Sequence, residues 1–148
     1  VTNMDFQILL ADDDEDDCMF FREALEELSL CATLKTVNNG VELMNFLENN
    51  LLNLPQMLFL DLNMPRKSGA ECLEEIKQSE KFKHLPVIIY STSSNIDVMD
   101  QLYGKGAQYY IRKPADFSNL KSVISRTIDL ILQKNVLPSC REEFEIQP

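Results

Sequence analysis

Histidine occurs once in the 148 residues, at His84, and the four cysteines, Cys18, Cys31, Cys72 and Cys140, include no C-x-x-C pair. That set suggests neither a zinc site nor a disulfide framework, and the thiols read as buried or incidental. Positive charge is scarce as well. There are 14 Lys and Arg, scattered singly, against 24 Asp and Glu, for a formal charge of -10. Nucleic-acid binding needs a basic stripe that displaces counterions, and anionic membranes need the same, so neither partner is expected. No apolar run approaches the roughly 18 residues of a membrane span, and the N-terminus lacks the basic-then-apolar layout of a signal peptide. A soluble, cytoplasmic protein is therefore expected. Internal repeats and low-complexity stretches are missing, which leaves one domain by length with room for a good core.

What is present is alternation. Short apolar runs at 6–11, 33–37, 57–60, 87–90 and 109–111, bounded by turn or charged residues, predict five strands. Amphipathic stretches at 18–28, 40–47, 69–76, 98–102 and 120–132, with apolar residues three and four apart, predict helices between and after them. A run that is apolar throughout, such as Met-Leu-Phe-Leu before Asp61, implies a sheet covered on both faces, the habit of parallel strands joined by right-handed crossovers. The expected fold is a doubly wound, flavodoxin-like α/β sandwich: a five-stranded parallel sheet of order 2-1-3-4-5 with helices on both faces. Composition shifts after Gln133. The domain is expected over 1–133, with 134–148 a tail and no output domain. The tail carries two prolines, an acidic pair and Phe144, and reads as a solvated extension or as a contact with the body or a second subunit.

Chemistry-bearing residues follow the strand-like runs. In chain order they read L-L-A-D-D, ending at Asp12 and Asp13; L-D-L-N-M-P, from Leu60 to Pro65; Y-S-T, from Tyr90 to Thr92; and Y-I-R-K-P, from Tyr110 to Pro114. In a doubly wound sheet, ligands sit beyond the carboxyl ends of the strands, so these pieces converge. Asp12, Asp13 and Asp61 would then repel one another. A hard divalent cation removes that conflict, and a few carboxylates with waters and a phosphate oxygen is how Mg²⁺ is usually held. Asp61 is the candidate nucleophile, and the turn after it would offer the carbonyl of Asn63 to the metal. Lys113 can supply a point charge to a phosphoryl group and Ser91 a hydroxyl hydrogen bond. Phosphoryl transfer asks for little more than positioning and charge stabilisation. Pro114 can fix the lysine at a sharp turn, through a cis bond if one is present.

At these residues the chain resembles the response-regulator receiver domain of two-component signalling, in its stand-alone chemotaxis type, over about residues 6–133. The resemblance implies that a sensor histidine kinase or phosphotransfer protein donates a phosphoryl group to Asp61. It places Mg²⁺ on Asp13, Asp61 and the Asn63 carbonyl, with Asp12 holding a metal-bound water. It also implies a switch in which Ser91 turns toward the phosphoryl group, Tyr110 swings inward, and the face of the fourth helix, fifth strand and fifth helix changes shape for a downstream protein or a second copy. The longer C-terminus and the wording P-R-K-S-G and Y-S-T-S-S-N resemble small regulators that partner bacterial phytochrome-type kinases. Two departures stand out. Ser68-Gly69 replaces the frequent Asp-Gly, and Ser68 should cap the following helix equally well. Thr92 is larger than the usual alanine or glycine and should crowd the hydrolytic water.

Simpler readings compete. Asp14, Asp16 and Asp17 belong to a run of acids that suits a solvated helix N-terminus. The same run mimics a calcium loop through Asp12, Asp14, Asp16 and Glu23, but Asp17 stands where the loop needs glycine. Asp12-x-Asp14 after a strand also resembles the haloacid-dehalogenase-like phosphatases, although that family does not account for the L-D-L-N-M-P turn. Tyr110 reads as a half-buried aromatic on the sheet, and Tyr90 and Tyr109 as core or surface aromatics. A stand-alone regulator that catalyses only its own phosphorylation and slow dephosphorylation is the expected function, with a Mg²⁺-dependent phosphatase and a phosphorylation-independent docking module as alternatives.

Overall fold

A computed structural model describes residues 6–133, 138 and 140–148. Its strands are β1 (Phe6–Ala11), β2 (Ala32–Val37), β3 (Met57–Leu60), β4 (Val87–Ser91) and β5 (Tyr109–Arg112). The helices are α1 (Glu15–Glu27), α2 (Gly40–Asn49), α3 (Gly69–Gln78), α4 (Ile96–Gly104) and α5 (Phe117–Leu132). All the strands are parallel, in the order β2-β1-β3-β4-β5. This is the expected doubly wound sandwich.

Side chains alternate across the sheet and divide the core. Leu9, Ala11, Leu58, Leu60 and Ile89 pack with Leu43 of α2, Leu73 of α3 and Met99 of α4. Ile8, Leu10, Phe59 and Ile88 pack with Phe21 of α1 and Val123 and Ile124 of α5. Every residue of β3 is buried, which is why its sequence is apolar without alternation. Full burial of such a side chain stabilises the fold by about 1.5–3 kcal/mol.

Caps explain why helices begin earlier than their apolar stripes. Asp14 accepts the amides of Asp16 and Asp17 at 2.9 and 3.1 Å, so α1 starts at Glu15 and not at Cys18. Asn95 does the same for α4. Ser68 forms the anticipated cap of α3, reciprocated by Glu71. Gly69 is forced by packing, since a Cβ there would collide with the Asp61 carbonyl oxygen and the Leu62 Cα.

The tail departs from a solvated extension. After a 3₁₀ turn at Arg141–Glu143, Glu145 forms a parallel bridge with Tyr110. The Tyr110 amide donates to the Phe144 carbonyl and the Ile146 amide to the Tyr110 carbonyl, both at 2.9 Å. Phe144 is buried on the α3/α4 side and Ile146 on the α1/α5 side, the alternation of a strand. The tail therefore contributes a core element and closes the β5 edge. Residues 134–137 and 139 of that expected tail lie outside the described residues.

Candidate functional site

The site lies where strand order reverses, beyond the carboxyl ends of β1 and β3. Pairing of Ala11 with Leu60 puts the residues that follow each strand side by side. One carboxylate oxygen from each of Asp12, Asp13 and Asp61 lies within 4.8 Å of the others. Asp12 is fully buried and Asp61 6% exposed, whereas Asp13 faces solvent. Asp12 Oδ1 accepts the Asp14 amide at 3.0 Å. Its Oδ2 is 2.8 Å from Lys113 Nζ, yet no hydrogen-bond donor is aligned on it.

Electrostatics follow from this crowding. Burial, and then the like charge of Asp12, raise Asp61 from 3.8 to about 7, against the pull of Lys113 and a backbone hydrogen bond from Asn63. Burial opposes the Lys113 ammonium, but Asp12, Asp17 and Asp61 outweigh it and hold Lys113 above its ordinary range. Lys113 Nζ is 2.8 Å from Asp17 Oδ2 and 3.6 Å from Asp61 Oδ2. A buried carboxylate oxygen without an aligned donor, and three clustered carboxylates of which two, Asp12 and Asp61, pair with one lysine, suit a hard divalent cation with oxygen ligands.

The remaining residues that the sequence singled out lie on neighbouring strand ends. Ser91 ends β4 fully buried, and its Oγ accepts the Ser93 amide at 3.1 Å. The Lys113 amide donates to the Ser91 carbonyl at 2.8 Å, tying the ends of β4 and β5 together. Thr92 is exposed. Tyr110 is buried completely, not by half, and its hydroxyl donates to the Ser93 carbonyl at 2.7 Å. It sinks this far because Phe144 of the tail packs on it, with ring centroids 6.0 Å apart. No cis peptide occurs among the described residues, so Lys113–Pro114 is trans.

Two residues at the site escaped the sequence reading. Asp17 is not a solvated acid, because it holds Lys113 Nζ at 2.8 Å. Tyr90 places its ring centroid 5.2 Å from the same nitrogen. Asp17 could have been found only by knowing that α1 begins early enough to turn it toward β5. The calcium-loop alternative fails on the strand β1 that precedes the acidic run. All four cysteines are free, and no helix among the described residues is long and apolar enough to cross a membrane.

Fold and site together define a receiver. Residues 8–125 match the response regulator receiver domain family, and the chain belongs to it. It is a response-regulator receiver domain of two-component signalling, close to the phytochrome response regulators. Its relatives include the "Probable methanogenesis regulatory protein FilR2" of Methanothrix harundinacea, 30% identical, covering 90% of this chain and 88% of that one. Among solved structures, that of the phosphorylated cyanobacterial phytochrome response regulator RcpA is 33% identical with a TM-score of 0.80, covering 92% of this chain and 100% of the other. The Mn²⁺-bound form of response regulator Rcp1, a protein of Synechocystis, is 30% identical with a TM-score of 0.75, covering 90% and 99%.

Proposed function

We propose that this protein accepts a phosphoryl group on Asp61 from a sensor histidine kinase or phosphotransfer protein, with Mg²⁺, and signals through the resulting change of its binding surface. The observation that carries this reading is the meeting of Asp12, Asp13 and Asp61 within 4.8 Å beside Lys113, 3.6 Å from Asp61. Asp12, Asp13, Asp61 and the backbone carbonyl of Asn63 would hold the cation. When bound, it neutralises carboxylate and phosphoryl oxygens during transfer.

An oxygen of Asp61 attacks phosphorus as the donor's P–N or P–O bond breaks, and the leaving group carries away the bonding pair. Lys113 balances charge on the transferred oxygens, and Ser91 donates its hydroxyl hydrogen to one of them. The Ser91 oxygen already accepts from Ser93, so its proton is available for that role. Thr92, at the mouth of the site, crowds the water that would hydrolyse the product. Ser91, Thr92 and Tyr110 then form the switch, and Pro114 shapes the turn that presents Lys113.

Residues 1–133 serve as the receiver and 134–148 as an appended tail. The face that would change, formed by α4, β5 and α5, carries this tail across it: Arg141 pairs with Asp100 of α4 at 2.7 Å and Arg112 of β5 with Glu145 at 3.6 Å. A downstream protein, or a second copy of the chain, would meet the tail there. The mass in solution with and without a phosphoryl mimic decides the second-copy reading. Localisation in the cytoplasm follows from the kinase partner.

The test is incubation with Mg²⁺ and a small acyl-phosphate donor, followed by a phosphate-affinity gel. A shifted band in the parent, absent in Asp61→Asn and on chelation, is the expected result. Label that survives in Asp61→Asn but not in Asp12→Asn would overturn it in favour of a phosphatase.

A further inference from the structure

The Lys113 ammonium is held unequally by its neighbours. Its aligned side-chain hydrogen bond goes to Asp17 Oδ2 at 2.8 Å. Asp12 Oδ2 approaches to 2.8 Å from another direction. The Tyr90 ring lies 5.2 Å away, itself locked edge-on by Phe21 at 5.5 Å and Phe59 at 6.5 Å. Toward Asp61 the spacing opens to 3.6 Å, longer than a hydrogen bond. The lysine side chain is only 9% exposed, so it has little freedom to leave. Asp17 is anchored in turn, because its amide is bound by the Asp14 cap in the first turn of α1.

We propose that Asp17 is a positioning residue for phosphoryl transfer, holding the Lys113 ammonium against Tyr90 so that its remaining N–H groups face the oxygens bound at Asp61. An ammonium has three donors and rotates freely on its stem unless one is fixed. Asp17 fixes one at 2.8 Å, while Asp61 at 3.6 Å takes none. It does not share the cluster of Asp12, Asp13 and Asp61, so its contribution passes through the lysine. The inference rests on the phosphoacceptor reading of Asp61.

Simple electrostatics makes the opposite forecast. Removing a carboxylate beside an anion site should strengthen anion binding, whereas removing a positioning group should weaken it. The experiment is calorimetric titration of the full chain with beryllofluoride, a phosphoryl mimic, at saturating Mg²⁺. It compares the parent, Asp17→Ala, Asp17→Asn, Lys113→Ala and the double variant Asp17→Ala/Lys113→Ala.

We expect affinity for the mimic to fall about fivefold in Asp17→Ala, as for loss of one charge-assisted hydrogen bond, with Asp17→Asn in between. Mg²⁺ affinity should stay within about twofold of the parent. In the Lys113→Ala background, Asp17→Ala should change nothing further. Equal or tighter binding by Asp17→Ala overturns the proposal, as does an equal loss in both backgrounds. If Lys113→Ala does not fold, Lys113→Gln takes its place in the cycle. A parent that shows no saturable response to the mimic overturns the phosphoacceptor reading itself, and the role of Asp17 with it.

Discussion

Replacing Asp61 with asparagine should make the metal-free protein more stable, and the gain should appear only as pH rises. The carboxyl titrates at 3.8 in the unfolded chain and at about 7 in the folded one, because burial and the charge of Asp12 outweigh Lys113. Between those values the native state keeps a proton that the unfolded state has released, so stability falls with rising pH. Below 3.8 both states are protonated and the group's full contribution is present; above about 7 it has been lost. The gap corresponds to about 4 kcal/mol at most. Part of that strain is shared with Asp12, so the neutral amide should recover roughly 2–4 kcal/mol at pH 8.

Urea unfolding of parent and Asp61→Asn in EDTA, at pH 4, 6 and 8, measures this directly. The difference between the two should be near zero at pH 4 and grow to its plateau by pH 8. Taking the difference cancels the self-repulsion of a chain with formal charge -10. Mg²⁺ should then act on the parent alone, by about 2.7 kcal/mol at a hundredfold excess over its Kd. A variant no more stable than the parent at pH 8 without metal would refute the argument that the site is strained by like charge. So would a gain of equal size at pH 4.

Phe144→Ala should cost about 3–5 kcal/mol in urea unfolding, because the ring is fully buried against Tyr103 and Tyr110; a loss under about 1 kcal/mol would mean that the tail is not docked in solution. Gly69→Ala should cost more than about 2 kcal/mol and also slow phosphorylation by an acyl phosphate, since the added methyl meets the backbone of Asp61 and Leu62. Stability near that of the parent with normal labelling would show that this close approach is relaxed in solution.

The centre of the sheet was legible because β3 and β4 are buried along their whole length and therefore apolar up to their last residue, and Asp12 and Asp61 because each directly follows a buried strand. Helix starts were less visible: apolar periodicity begins a turn after the cap, as at Asp14 and Cys18 in α1. Asp17 was hidden for a different reason. Its partner Lys113 is 96 residues away, and within Asp12 to Asp17 nothing local separates a bonded acid from a solvated one. Phe-Glu-Ile at 144–146 has the alternation of a strand, but three residues are too few to distinguish from chance. The edge of β5 gives that segment a place to pair, and an edge is a property of the whole sheet.

That edge bears on how far a change at Asp61 can travel. The Ser93 amide bonds to Ser91 Oγ, the Ser93 carbonyl accepts from the Tyr110 hydroxyl, and the Tyr110 backbone is bonded to the tail through both its amide and its carbonyl. These links are unequal. The loop after β4 is held by neutral hydrogen bonds of about 1 kcal/mol each. The tail is held by the burial of Phe144 and Ile146 at about 1.5–3 kcal/mol apiece, together with its bonds to Tyr110. In the proposed switch, a charge arriving at Asp61 therefore rearranges Ser91 and Ser93 first, while the tail stays docked. Tyr110 then moves, if it moves, against Phe144 as a fixed wall. The shape that a partner meets on the α4–β5–α5 face is set as much by residues 140–148 as by the strand they cover.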